Sequence, residues 1–112
     1  SIILSVMASG FNGQSFAFHG YLPIKPDERA RKLKQLEQRA YSEDQTQLFI
    51  ETPYRNGKMI EDIIKNCRPQ TKLCIAANLT CDDEFVRTRT VKDWRGKAPD
   101  LSKIPCIFLL YK

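Results

Sequence analysis

The 112 residues suffice for one domain with a single core, which would bury roughly two-thirds of the unfolded chain's surface. A composition of 42% hydrophobic and 28% charged residues, with no apolar run near the roughly 20 residues that span a bilayer, is that of a globular domain and argues against a membrane-spanning helix. The net charge of +5 is compatible with an RNA partner without demanding one.

Ser1–Gly10, SIILSVMASG, imitates a secretory signal, but it has no basic leader and its apolar stretch is too short. It reads as the end of an amphipathic or buried helix. Ser15–Tyr21 alternates and is rich in aromatics, which predicts a strand. Phe16 and Phe18 are expected to face the core, although the same alternation would suit an exposed stacking face. Pro23 and Pro26 end the strand. A helix is predicted from about Asp27 to Ser42, with Asp27 and Glu28 in its first turn and Ala30, Leu33, Leu36, Ala40 and Tyr41 as its buried stripe. Lys25–Arg39 holds six positive residues against three negative ones, which makes either a solvated face or a phosphate-contacting one.

After a polar link at Glu43-Asp44-Gln45, the run Gln47–Glu51 predicts a short buried strand. Thr52-Pro53 then reads as a helix start, with the Thr hydroxyl as cap and Pro at the first helical position. That helix should end near Cys67, with Met59, Ile60, Ile63, Ile64 and Cys67 inward. Asn56-Gly57 conflicts with it, since Gly costs about 1 kcal/mol against Ala in a helix interior. An irregular first turn or a close backbone approach is expected there. Lys72–Ala77 is uniformly apolar and predicts an interior strand, Asn78–Glu84 a polar loop, Phe85–Val91 a further strand and Val91–Arg95 a helical turn. Ile104–Tyr111 is apolar enough for the middle of a sheet. The fold class is therefore α/β: one domain of two or three layers, with a mixed sheet of about five strands and two main helices.

No self-contained catalytic set is visible, so the catalytic residues stay unknown. His19 stands between aromatics with no acid nearby in sequence and reads as structural or surface. Asp82-Asp83-Glu84 reads as a solvated loop, since three successive acids cannot all face one ion, and no metal is expected. Cys67, Cys74, Cys81 and Cys106 form no C-x-x-C pair and no zinc spacing. Cys74 and Cys106 read as buried and the set as reduced, which points to the cytoplasm. Glu51 has two readings. It ends a strand beside a helix N-terminus, where open α/β sheets bind ligands, or it simply complements the helix dipole.

Several stretches, in order, resemble one known family. Gln47–Arg55, QLFIETPYR, is similar to an F-Y-E-S-P-H-R segment, and Phe16-Ala17-Phe18-His19-Gly20-Tyr21-Leu22-Pro23-Ile24-Lys25 to F-x-F-x-G-F-L-P-x-K. Ala8-Ser9-Gly10-Phe11 matches the S-G-L before it, and the correspondence continues through Ile75–Val86. These segments belong to the C-terminal domain of class III, tetrapyrrole-methylase-like, SAM-dependent methyltransferases. The likeness is closest to the branch that methylates a cytidine 2′-hydroxyl of small-subunit ribosomal RNA.

The resemblance implies that residues 1–112 are the C-terminal domain of a larger methyltransferase whose N-terminal domain is absent from this chain. It implies S-adenosyl-L-methionine (SAM) as cofactor, held in a cleft between the two domains. On this chain, cofactor contacts are expected at Ile50 and Glu51, at Asn78, Leu79 and Thr80, and at Pro105 and Cys106. Ribosomal RNA or the small ribosomal subunit, the chain's own N-terminal domain and a second copy in a homodimer are the implied partners, with no membrane. The fragment alone should be inactive. Three departures bear on the substrate: Asn78-Leu79-Thr80-Cys81 replaces an E-L-T-K-like loop, Pro105-Cys106-Ile107 replaces G-E-I, and Tyr54 replaces His. A tetrapyrrole or other small acceptor stays open as an alternative, as does a non-catalytic RNA-binding or assembly module.

Overall fold

Five strands make one mixed sheet, ordered β1-β2-β5-β3-β4, in the computed structural model, which describes residues 2–112. The strands are β1 (Phe16–Tyr21), β2 (Thr46–Ile50), β3 (Lys72–Ala77), β4 (Phe85–Thr90) and β5 (Cys106–Tyr111). The helices are α1 (Ile2–Ser9), α2 (Pro26–Ser42), α3 (Asn56–Asn66) and a short α4 (Val91–Trp94). Ser1, where the opening reading began, lies outside the described residues. β1 and β2 are parallel, joined by α2 as the crossover such a pair requires, while β5 runs antiparallel to both β2 and β3. The last strand is thus the central one, as its unbroken apolar run predicts.

Alternation along the inner strands builds two cores. Phe49, Leu73, Ile75, Phe108 and Leu110 face α2, α3 and α4, where Leu33, Leu36, Met59, Ile60, Ile63 and Trp94 meet them. Leu48, Cys74, Ala76 and Leu109 face the other side and pack with Val6 of α1. The domain is therefore three-layered, thick on one face and thin on the other. Phe49 and Phe108 stack with centroids 5.7 Å apart, and the fully buried Trp94 donates from Nε1 to the Leu73 carbonyl at 2.8 Å.

The buried stripe of α2 is more polar than its apolar periodicity predicts. Leu33, Leu36 and Ala40 are buried, Ala30 and Tyr41 only half so, and Arg29 and Glu37 complete the inner face. A buried charge persists only when paired and hydrogen-bonded. Arg29 donates from Nε to the Pro23 carbonyl at 2.8 Å and forms ion pairs with Glu51 and, at 3.4 Å, with Asp62. Glu37 accepts from the Arg68 amide at 2.7 Å and from the Thr71 hydroxyl, which fixes the link from α3 into β3.

Two expectations are corrected. The Thr52 hydroxyl caps nothing. A 3-10 turn over Pro53–Arg55 comes first, closed by the Arg55 amide on the Thr52 carbonyl at 2.9 Å, and α3 starts only at Asn56. The irregular first turn is therefore real, whereas Gly57 meets open space rather than a close neighbour. Phe16 and Phe18 do not face a core. They are 39% and 44% exposed on edge strand β1, on the α1 side, because α1 packs over β3, β4 and β5 and leaves β1 bare. α1 itself buries Ser5, Val6 and Ser9 while Ile3 and Met7 point outward.

Candidate functional site

The topology brings three strand ends to one edge. β2 and β3 both run antiparallel to β5, so the carboxyl ends of β2 and β3 flank the start of β5. The ladders stop at Ile50↔Ile107 and Ala77↔Cys106, and beyond them the backbone leaves the sheet. At this edge is a hollow of about 550 Å³, within the range of small-molecule sites. Ile50, Glu51, Asn78, Leu79, Pro105 and Cys106 line it, together with Tyr21, Pro53, Ala76 and Ile107. Six of the seven residues expected to meet the cofactor thus converge. Thr80 does not line the hollow and is exposed in the loop behind it.

Each wall has its own support. The β3–β4 loop carries Asn78 at φ 51 and Thr80 at φ 68, left-handed conformations that are rare for residues other than glycine and unusual for a β-branched one. The loop's own acids hold it in place. The Asn78 side chain donates to Asp83 at 3.1 Å, and the Thr80 amide donates to Glu84 at 2.8 Å. Asp83 and Glu84 are exposed, as a solvated loop predicts, yet they also fix the backbone. No group of three metal-ligating side chains occurs among the described residues.

Glu51 follows neither of its two readings in simple form. It lies in the hollow's lining but is buried, one carboxylate oxygen on Arg29 and the other accepting from the Thr52 amide at 2.8 Å. Its charge is spoken for inside the domain. What this wall offers a ligand is the strand-end backbone and the apolar surface of Ile50 and Pro53.

The third wall depends on a residue that sequence reasoning took only for a helix irregularity. Asn56 is fully buried, and its amide nitrogen lies 3.0 Å from the Leu101 carbonyl, 2.7 Å from the Ile104 carbonyl and 3.3 Å from the Cys106 sulfur. It ties the segment entering β5 to the start of α3, and so sets Pro105 and Cys106 against the hollow. The signal was present: a polar residue opening an apolar-striped helix, next to a glycine, is best explained by a tertiary partner. Cys106 donates to the Ile104 carbonyl, and burial pushes its thiol pKa up to about 12, so it serves as a small neutral wall and not as a nucleophile.

The lining suits a flat, uncharged group such as a purine nucleoside. The walls are apolar, with small residues at Ala76 and Cys106 that allow close approach, and no lysine, arginine or unpaired carboxylate enters the hollow. Two buried polar atoms, Thr52 Oγ1 beside the hollow and Asn56 Oδ1 behind it, have no hydrogen-bond partner among the described residues. Such atoms cost about 1–3 kcal/mol each when left unsatisfied. The charged end of a nucleoside-bearing amino acid finds no counter-ion here, so this chain fits the adenosine part of SAM.

His19 is half-buried on β1, bonded to the Gln47 side chain at 2.6 Å, far from a catalytic setting. Desolvation holds its pKa below the ordinary value, against the opposing Gln47 bond, with Lys32 and Arg39 lowering it further. All four cysteines are free, and Cys67, Cys74 and Cys106 are buried.

No family model matches the chain. Curated relatives do. The chain is 25% identical over 111 residues to "Ribosomal RNA small subunit methyltransferase I" of Pasteurella multocida, 31% over 88 residues to the protein of that name from Buchnera aphidicola, and 34% over 87 residues to that of Vibrio cholerae. These alignments cover 96%, 79% and 78% of this chain but 38%, 29% and 29% of the relatives, so the chain spans about a third of their length. Among solved structures, the methyltransferase CobJ superposes with a TM-score of 0.63 at 17% identity, over 100% of this chain and 47% of CobJ. No helix among the described residues is long and apolar enough to cross a membrane. By sequence the chain is related to part of the ribosomal RNA small subunit methyltransferase I proteins of the tetrapyrrole methylase family, and it shares the α/β fold of the methyltransferase CobJ.

Proposed function

We propose that this chain is the C-terminal, cofactor-cleft part of a SAM-dependent methyltransferase acting on ribosomal RNA in the cytoplasm. The observation that carries the reading is the convergence of Ile50, Glu51, Asn78, Leu79, Pro105 and Cys106 on one hollow at three adjoining strand ends, in a chain whose relatives bear that activity in their names. When bound, SAM supplies the methyl group. The chain's own residues orient it: Ile50, Leu79 and Ile107 give the adenosine an apolar slot, and Asn56 keeps Pro105 and Cys106 at a set distance. Rate in such a design comes chiefly from alignment of donor and acceptor. The counter-ions of the methionine end and the proton acceptor belong to an N-terminal domain that packs over this edge, and a homodimer is the expected assembly.

The test is transfer of labelled methyl from SAM to unmodified small ribosomal subunits by the full-length protein, with this chain as control. Label on RNA with the full-length protein alone supports the reading. Intact SAM binding without transfer to RNA would favour a tetrapyrrole or other small acceptor. Absence of SAM binding would leave a non-catalytic RNA-binding or assembly module.

A further inference from the structure

We propose that the bare face of β1 is a stacking platform for a single-stranded segment of RNA, with the basic flank of α2 as its phosphate contact. This rests on the RNA reading above and says where the nucleic acid runs. Phe16, Phe18 and Tyr21 pair with Thr46, Leu48 and Ile50 in the sheet register, so all three point to the side on which α1 leaves β1 uncovered. Strict alternation would have put Tyr21 on the opposite face. An irregularity between Phe18 and Tyr21, with Gly20 at φ 66, inserts one extra residue and turns Tyr21 onto the same side. A glycine at that position avoids the strain a side chain would carry. The result is three rings in a row, the third 63% exposed and lining the cofactor hollow. A base stacked on Phe18 would therefore have a continuous path to the site of methyl transfer.

The charge beside this row favours nucleic acid over protein as its occupant. Two residues past Tyr21, Pro23 opens a second hollow, of about 640 Å³, which runs along α2 and is lined by Glu28, Arg31, Lys32, Lys34 and Gln35. Among the described residues no carboxylate lies within ion-pair distance of Arg31, Lys32 or Lys34. Their field reaches β1, since Lys32 helps hold the His19 pKa down. Interfaces buried between proteins are depleted of lysine at their cores. Spaced aromatic rings beside unpaired cations are instead the composition of single-strand grooves, where bases stack on rings and phosphates track the positive side.

The experiment compares affinities of the full-length protein for unmodified small-subunit ribosomal RNA across a salt series. Phe18→Leu keeps apolar area and loses the ring, whereas Phe18→Tyr keeps the ring, and neither disturbs a core because Phe18 is on the surface. Stacking predicts that Phe18→Leu binds at least about fivefold more weakly while Phe18→Tyr retains wild-type affinity. Lys32→Gln should flatten the slope of log affinity against log salt by about 0.7, the value for one single-strand phosphate contact. Binding of S-adenosylhomocysteine and the oligomeric state should be unchanged in all three. Unaltered RNA affinity in Phe18→Leu would overturn the platform while leaving the methyltransferase reading intact. So would loss of S-adenosylhomocysteine binding or of a dimer in that variant, which would mark the face as packed against protein. Wild-type protein that neither binds nor methylates RNA would overturn both.

Discussion

Replacing Arg29 by Met isolates the charge cluster behind the cofactor wall. Arg29 is 2% exposed and Glu51 6%, and the guanidinium also holds the Pro23 carbonyl at 2.8 Å and Asp62 at 3.4 Å. Removing the cation leaves a buried carboxylate without its partner, a loss of about 3–5 kcal/mol. At this size, about 4 °C per kcal/mol translates that into a fall of roughly 12–20 °C in Tm. Glu51→Gln should cost less, about 1.5–3 kcal/mol, since the amide oxygen still accepts from Arg29 while Asp62 balances the charge. The double variant Arg29→Met/Glu51→Met should recover part of the loss, because an apolar pair no longer needs compensation. Urea denaturation followed by the fluorescence of Trp94, the single tryptophan, reads all three. A cost below about 1 kcal/mol for Arg29→Met would refute the claim that this pair determines the state of Glu51.

Three further outcomes follow from the same structure. Asn56→Ala should lose about 2–3 kcal/mol of stability by stripping donors from the buried Leu101 and Ile104 carbonyls, and should weaken S-adenosylhomocysteine binding by the full-length protein; unchanged denaturation would show the clamp to be idle. Iodoacetamide should label Cys81 alone in the native chain, as mass spectrometry would report, because Cys67, Cys74 and Cys106 are buried with raised thiol pKa values. Raised from 9.0 to about 12 at Cys67 and Cys106, those pKa values mean that the unfolded chain releases its protons first, so stability falls as pH climbs through that window. His19 should titrate below 6.5 by NMR; the unfolded chain then binds the proton more readily, so its contribution is complete above 6.5 and is lost as pH falls through the folded value.

Patterns local in sequence were legible, and those depending on tertiary partners were not. The runs LFI, LCIAA and CIFLLY announce β2, β3 and β5 because strands buried on both faces need no alternation. The strand ends that form the hollow could be named from motif resemblance and placed by topology. Arg29 and Glu37 were hidden because charged residues on a helix usually read as solvent-facing, although both fall on the stripe of Leu33, Leu36 and Ala40. Glu51 was read through its own helix start, whereas its partner lies 22 residues upstream on α2. Phe16 and Phe18 were assigned inward because large apolar residues usually are. Only the position of α1 over the far side of the sheet reveals that nothing in this chain covers them.

The central claim is that the hollow at the ends of β2, β3 and β5 holds the adenosine of SAM. Methyl NMR of the full-length protein, titrated with S-adenosylhomocysteine, tests it most directly. The account predicts that the methyl signals of Ile50, Leu79 and Ile107, which line the hollow, shift as the cofactor saturates, while those of Ile60 and Ile63, buried under α3, stay in place. Saturable binding that leaves Ile50, Leu79 and Ile107 unmoved would contradict it and put the cofactor elsewhere in the protein.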